Sequence, residues 1–352
     1  MNPKRVRIKD IADKAGVSTG TVDRVLHERG YVSEDARQRV LDALEEMGYE
    51  RNLLASALAY NKAIRIVALM PDKSTDPYWE QPFAGVEQGA QFVQPYGIEV
   101  ETRFFNLFER ADFRRQANAI LENPPAGLLF PPLFLQEGQW LLEQCREKGI
   151  AAVTFNTQID DAACLAYIGQ DSYQSGVLAA RLLNFGLSGK ASVLLLNLEK
   201  EIANARHLLE KERGFRDYFA QHQGSDIQVL RLDVEQFEDK EALRRQLETQ
   251  LHKHPDLTGV FVSNSRAYRL ADCLPSPTLR KLRIVGFDLV AANLQHLQAE
   301  NIDFLINQNS VEQGYNSVLT LYRHLFLKEK NLPALQYLPL DIVVVENVAY
   351  YL

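Results

Sequence analysis

The sequence predicts an α/β protein with a small helical head: an N-terminal three-helix helix-turn-helix unit and a hinge, then two doubly wound parallel-sheet lobes. Three observations lead there. Three short amphipathic helical patterns fill roughly the first fifty residues. After Lys62, short β-branched runs alternate with amphipathic stretches. At 352 residues the chain is too long for one small domain and suits a head with a large two-lobed body.

The head comes first. Ile11, Ala12 and Ala15 give its first helix an apolar face small enough for close packing. Gly16 ends that helix, since it takes the left-handed conformation without steric cost. Ser18 stands where the second helix needs an N-cap. Val22, Val25 and Leu26 share the inward face of that helix and leave Thr19, Gly20, Asp23, Arg24 and His27 pointing out. Ser33 caps a third helix whose first turn carries Glu34 and Asp35, where acids suit the helix dipole. Val40, Leu41, Leu44 and Met47 are expected to form its apolar stripe, which ends at Gly48.

Two helices meeting at a glycine are the layout of a helix-turn-helix, whose second helix enters the major groove with its N-terminal residues at the base edges. Thr19 and Gly20 are then the expected base neighbours and Arg24 the guanine or phosphate contact. Thr21, His27 and Ser33 complete the candidate DNA-facing set in the head. Gly20 costs its helix about 1 kcal/mol against Ala but removes a side chain where backbone approaches DNA. A helical hairpin with an exposed Arg and His is also common in globular proteins. The capped third helix decides between these readings, because it completes a DNA-binding head.

The run 8–60 resembles the headpiece and hinge of the lactose-repressor (LacI) family of bacterial transcription factors. The family pattern, roughly I-x-D-[IV]-A-x-x-A-G-V-S-x-x-T-V-[SD]-R-V-L, is matched almost throughout from Ile8 to Leu26, and Val32-Ser33 and Gly48-Tyr49 follow. The resemblance implies that residues 51–62 are a hinge helix and linker that folds against its twin on the DNA minor groove. It further implies that Leu58 is wedged between base pairs, with Asn52 and Ser56 beside it as DNA contacts. Physical reasoning agrees: a segment of this length is too short for a stable isolated helix, and an apolar wedge is a known means of bending DNA. The alternative is that Leu54 and Leu58 cap the core of the body. Leu53 stands where many relatives carry a basic residue.

The formal charge of −7 at first argues against a nucleic-acid partner, but it is unevenly spread. Residues 1–31 carry seven Lys/Arg against four Asp/Glu, so basic charge gathers at the head. That surplus is modest, and strong operator binding is expected to need a homodimer. The three cysteines, Cys145, Cys164 and Cys273, are widely spaced without a Cys-x-x-Cys, which excludes a disulfide framework and suits a reducing compartment. No apolar run is long enough to span a membrane, and the N-terminus lacks the core of a signal peptide. A cytoplasmic protein without membrane contact is expected.

In the body, strands are predicted over 64–70, 98–105, 127–130, 151–155, 191–196, 227–232, 259–262 and 284–287. Amphipathic stretches over 83–93, 172–187 and 240–252 lie between them. Eight strands in two groups of four imply two lobes built from βαβ units. Ligands of open α/β sheets bind beyond the carboxyl ends of the strands. The residues at those ends here are polar or aromatic: Asp76, Tyr78 and Trp79, then Asn106, Asn156, Asn264, Asp288 and Gln308. Each has a plainer alternative as a loop or helix cap, but their convergence on one cleft favours a binding site.

Over 63–352 the chain resembles the periplasmic sugar-binding-protein fold that the LacI family uses as its sensor. Ile168-Gly169-Gln170-Asp171 and Val285-Gly286-Phe287-Asp288 are similar to recurring signatures of that fold. Asp76-Pro77-Tyr78-Trp79 falls where ribose-type members carry Asn-Pro-Phe-Phe, so the resemblance implies that Tyr78 and Trp79 face a sugar ring. It implies polar sugar contacts at Asp288, Asn264 and Gln308. Two departures point away from ribose itself. Asn156-Thr157 replaces an Asp-Arg pair, and Lys211 replaces an Arg before Gly214-Phe215, losing the bidentate fork.

No phosphate-binding glycine loop and no nucleophile elbow occurs, and His252 with His254 lacks a third metal ligand. No catalytic residue, cofactor or metal is expected. The sequence thus predicts a DNA-binding head over 1–50, a hinge over 51–62 and an effector-binding, dimerising body over 63–352. The expected function is a ligand-responsive transcriptional regulator, of repressor type, whose partners are palindromic operator DNA, a small sugar-like effector and a second copy of itself. The rival readings are a small-molecule binding protein whose head mediates assembly, and a sugar-modifying enzyme with a regulatory head.

Overall fold

The computed structural model describes residues 6–26, 30–47, 63–159, 163–185, 187, 190–200, 206–221 and 227–352. The chain divides into two compact units, Met1–Tyr60 and Asn61–Leu352.

In the first unit, α1 (Ile8–Ala15), α2 (Thr19–Leu26) and α3 (Glu34–Glu46) enclose a small core. Ile11, Ala12, Ala15, Val22, Val40 and Ala43 form it, with Val25, Leu26, Leu44 and Met47 packed at its margin. Gly16 closes α1 at φ +64°, where a side chain would be strained. Ser18 Oγ accepts from the Thr21 amide at 3.1 Å and so caps α2. Arg39 of α3 donates to the Ala15 carbonyl at 3.3 Å, satisfying one of the acceptors left at the end of α1. The expected stripe of α3 is corrected at one residue. Leu41 is 43% exposed, and the inward face is Ala36, Val40 and Ala43. Those three follow the i, i+4, i+7 spacing of one helix face, and their small side chains let α3 approach α1 closely.

The second unit contains twelve strands among the described residues. The first five are β1 (Ile64–Pro71), β2 (Ile98–Phe105), β3 (Gly127–Phe130), β4 (Ala151–Phe155) and β5 (Cys164–Gly169). Next come β6 (Ala191–Asn197), β7 (Ile227–Asp233), β8 (Leu257–Val262), β9 (Arg283–Phe287) and β10 (Phe304–Asn307). The last two are β11 (Leu335–Tyr337) and β12 (Asp341–Val343). They build two six-stranded sheets of matching order, β11-β5-β4-β3-β1-β2 and β12-β10-β9-β8-β6-β7. Every pairing is parallel except β10 with β12.

Helices cover both faces of each sheet. Those of the first half are α4 (Glu80–Val93), α5 (Arg110–Glu122), α6 (Leu135–Lys148), α7 (Ser172–Asn184) and α8 (Arg206–Gln221). They are followed by α9 (Lys240–Lys253), α10 (Ala267–Cys273), α11 (Ser276–Leu279), α12 (Ala291–Gln298) and α13 (Ser310–Leu325). The central strands β3, β4, β6, β8 and β9 are buried on both sides, which is why they read as continuous apolar runs. In β1, Ile66, Ala68 and Met70 join one core cluster while Val67 and Leu69 join the other.

The strand count is corrected from eight to twelve. β11 and β12 are three residues each at sheet edges, too brief to show a period, whereas β5 and β10, at six and four residues, are no shorter than the predicted β3. Their placement also reveals the connectivity. The chain leaves the first sheet after β5 for α7, which packs on the second. After β10 it returns to place α13 on the first sheet, adds β11 there, and finishes with β12 on the second. Three segments thus run between the lobes. Within the second lobe, α7 and α8 cross in backbone contact. A Cβ added at Gly176 would lie 1.9 Å from the Lys211 carbonyl oxygen, and one at Gly214 would lie 2.0 Å from that of Tyr173.

Candidate functional site

Two surfaces carry chemistry. On the head, Thr19, Gly20 and Arg24 are exposed along α2. Thr21 is half-buried, with Oγ1 2.9 Å from Ser18 Oγ. The Ser33 hydroxyl accepts from the Ala36 amide at 3.4 Å, so it is committed to the cap of α3. His27, Asn52, Ser56 and Leu58 lie outside the described residues.

In the body the strand ends of both lobes face one cleft. Its free space is about 70 Å³, and Asp76, Tyr78, Trp79, Asn156, Lys211, Asn264, Asp288 and Gln308 line it. Asn106 is not brought there. Its side chain accepts from the Phe108 amide at 3.0 Å and donates to Glu109 at 2.9 Å, which is the work of a loop residue before a helix.

The site is built symmetrically. Asn156 follows β4 and Asp288 follows β9, both with left-handed backbones at φ +63° and +67°. Each amide donates to the adjoining strand, to Ile168 O at 3.2 Å and Ile306 O at 3.0 Å. Asn and Asp tolerate this region better than most side chains, and such conformations concentrate at functional sites. They turn both side chains into the cleft.

On the first lobe, Tyr78 and Trp79 meet edge to face at 5.0 Å. Asn156 Nδ2 donates to the Tyr78 hydroxyl at 2.6 Å, and Ser310 Oγ donates to it at 3.2 Å. On the second, Gln308 Nε2 donates to both oxygens of Asp288, at 2.9 and 3.0 Å. Gln170 Nε2 donates to Gln308 Oε1 at 2.7 Å. Gln170 Oε1 is buried and has no partner among the described residues.

Three charged groups set the electrostatics. Lys211 is only 2% exposed; its ammonium donates to Ser263 O at 3.0 Å and sits 3.4 Å from the Phe287 ring centre. Burial pulls its pKa down to about 7, against the attraction of Asp288. Burial likewise pushes Asp288 up to about 7, against the attraction of Lys211 and the Gln308 hydrogen bonds. Arg266 spans the cleft. Its Nη1 donates to Leu198 O at 2.7 Å and Glu199 at 3.0 Å, its Nη2 to Asp76 Oδ2 at 2.5 Å, and its plane lies 4.6 Å from the Phe237 ring centre. Asp76 belongs to the first lobe and Arg266 to the second, so this pair ties the jaws together.

Arg266, Glu199, His207, Gln170 and Ser265 also line the cleft and were not singled out from sequence. The strand-end rule reaches three of them, since Glu199 follows β6 and Ser265 and Arg266 follow β8. Gln170 sat within a motif already noted. His207, on α8, carried no signal. Its Nδ1 lies 3.3 Å from Thr157 Oγ1. Burial first, then the charges of Lys211 and Arg266, hold its pKa down to about 3, so it is neutral at ordinary pH.

Comparison with known proteins agrees with this layout. Residues 67–330 match the family described as periplasmic binding protein domain, and residues 7–52 match bacterial regulatory proteins, lacI family. The ribose operon repressor of Halalkalibacterium halodurans is 26% identical over 80% of each chain. The sucrose operon repressor of Pediococcus pentosaceus is 23% identical over 93% of this chain and 92% of its own. Among solved structures, a Bacteroides fragilis chain described as a LacI transcriptional regulator superposes with TM-score 0.73 at 28% identity, covering 82% of this chain and all of that one. A glucose-galactose binding protein from Geobacillus stearothermophilus shares the fold, with TM-score 0.70 at 24% identity over 82% of this chain and 99% of its own.

A helix-turn-helix head on a periplasmic-binding-protein body defines a class, the transcriptional regulators that carry a ligand-binding sensor. This chain belongs to the LacI family of bacterial regulatory proteins. Three of its curated relatives are named as repressors, one of a ribose operon and two of sucrose operons. Among the described residues, no helix is long and apolar enough to cross a membrane, and no cluster of three or more His, Cys, Asp or Glu is placed to hold a metal.

Proposed function

We propose that the protein is a repressor that binds its operator as a dimer, with its DNA affinity set by a neutral, sugar-like effector held between the lobes. The observation that carries this reading is the convergence of Asn156, Gln170, Asp288 and Gln308, from the strand ends of both lobes, on one cleft beside Tyr78 and Trp79. Asp76, Asp288 and Glu199 face Lys211 and Arg266, so both hydrogen-bond acceptors and donors are at hand for hydroxyls. Tyr78 and Trp79 supply the apolar faces that suit the C–H side of a sugar ring. Asn264 completes the lining.

On the head, Thr19, Gly20 and Thr21 approach base edges, Arg24 reads guanine or grips phosphate, and His27 and Ser33 lie alongside. The hinge, assigned to 51–62 between a head over 1–50 and a body over 63–352, places Asn52, Ser56 and Leu58 in the minor groove. Dimerisation is supported by apolar surface on the first lobe, where Phe92 of α4 is 45% exposed and Phe104 of the edge strand β2 is 37% exposed. A protein that works on chromosomal DNA acts in the cytoplasm. Lobe closure changes the spacing of the paired hinges, a coupling of typically about 1–3 kcal/mol, or about 5–150-fold in DNA affinity.

The test is fluorescence anisotropy of the full-length protein on the DNA upstream of its own gene, with and without sugars that raise its melting temperature. A change in DNA affinity on adding such a sugar supports the reading and gives the sign of the coupling. Operator binding indifferent to every stabilising sugar would refute it. Arg24→Ala should lose selectivity for operator over random DNA while binding the sugar normally.

A further inference from the structure

We infer that the effector is a two-ring sugar, with one ring in the inner cleft and the second in an outer chamber separated from it by His207. This rests on the proposed sugar-binding reading of the cleft and adds to it a second compartment.

The inner cleft, at about 70 Å³, is far below the roughly 300–1,000 Å³ usual for small-molecule sites. Beside it lies a chamber of about 330 Å³. His207 lines both. The two spaces are also built from the same chain segments. After β4, Asn156 faces the inner space and Gln158 the outer; at the first crossing between lobes, Gln170 lines the inner and Asp171 the outer. On α8, Lys211 serves the inner space while Arg206 and Glu210 serve the outer. One continuous site with a side-chain partition accounts for this interleaving.

The chemistry of the outer chamber is that of a sugar subsite. Asp171 and Glu210 balance Arg206 and Arg213, and Glu210 already pairs with Arg213 at 2.9 Å. A wall without net charge has little hold on a phosphate and suits an uncharged polyol. Tyr173 and Tyr337 contribute ring surface. Both are held: the Tyr173 hydroxyl donates to Asp217 at 3.1 Å, and that of Tyr337 to Gln158 at 3.1 Å. His207 is neutral and hydrogen-bonded to Thr157, so the partition puts no charge across the path between the rings.

Calorimetry on the full-length protein tests this with glucose, galactose, fructose and ribose, with sucrose, maltose, lactose and melibiose, and with glucose 6-phosphate. At least one disaccharide should bind about tenfold or more tighter than either of its component sugars. Arg206→Ala and Gln158→Ala, both at partly exposed positions, should each weaken that disaccharide by about fivefold and leave the better component sugar unchanged. A monosaccharide that binds as tightly as every disaccharide overturns the inference and leaves the cleft reading standing. So does disaccharide affinity that is indifferent to both substitutions in proteins of unchanged melting temperature. Preference for glucose 6-phosphate over glucose overturns the neutral assignment of the chamber. Binding of no sugar at all overturns the cleft reading and this inference together.

Discussion

Arg266 holds Leu198, Glu199 and Asp76 with one guanidinium, and only Asp76 belongs to the opposite lobe. Removing the cation leaves two carboxylates facing each other in a desolvated cleft. Breaking a buried pair from one side typically costs roughly 3–5 kcal/mol. Arg266→Met should therefore lower stability by about that order, and adding Asp76→Asn should recover part of the loss. Urea unfolding of the single and double variants measures the coupling; strict additivity would show that the pair contributes nothing. His207 gives a pH signature. Its pKa is depressed from the unfolded value of 6.5 to about 3, so the unfolded chain binds the extra proton between those values. Its contribution to stability is present above 6.5 and is lost as pH falls toward 3, at a slope of at most about 1.4 kcal/mol per pH unit. Relative to His207→Gln, the native protein should lose melting temperature between pH 6.5 and 5. Parallel melting curves for the two proteins would remove His207 as the cause.

At the scale of elements, the crossing of α7 and α8 is what puts Lys211 into the cleft. Gly176 and Gly214 permit it, each opposed by a carbonyl oxygen closer than any Cβ tolerates. Gly214→Ala must push the helices apart, which costs about 1–3 kcal/mol as other overpacking does. It should also weaken effector binding by moving Lys211, as a paired melting and calorimetry series would read; lowered stability with intact affinity would separate α8 from the site. This scale also marks where sequence reading succeeds. The runs in β1 and β6 are long and largely buried on both faces, so their β-branched and aliphatic residues announce themselves. The head was equally plain, because Gly16, Ser18 and Ser33 act on their own neighbours. Leu41 departs from the expected stripe because the width of the inward face of α3 depends on α1, a separate element of the chain.

At the scale of the whole molecule, head and cleft respond differently to salt. Contacts from an exposed helix to phosphates release counterions, so operator affinity should fall steeply between about 50 and 200 mM salt. The charges of the cleft are buried and screened far less. Effector affinity measured by calorimetry should hardly change over the same range. Operator binding insensitive to salt would count against α2 as a DNA-reading surface.

The class of the head, the alternation of strand and helix, and most of the polar residues of the cleft are legible in the sequence alone. They are so because caps, turn glycines and strand-end positions act over a few residues. Folding supplies what no local pattern contains. It sets the strand order, the three passages between lobes, and the pairing of Asp76 with Arg266 across 190 positions of chain. It also brings His207 between two spaces that share their walls. Those features arise from contacts between distant segments, and only folding brings such segments within reach of each other.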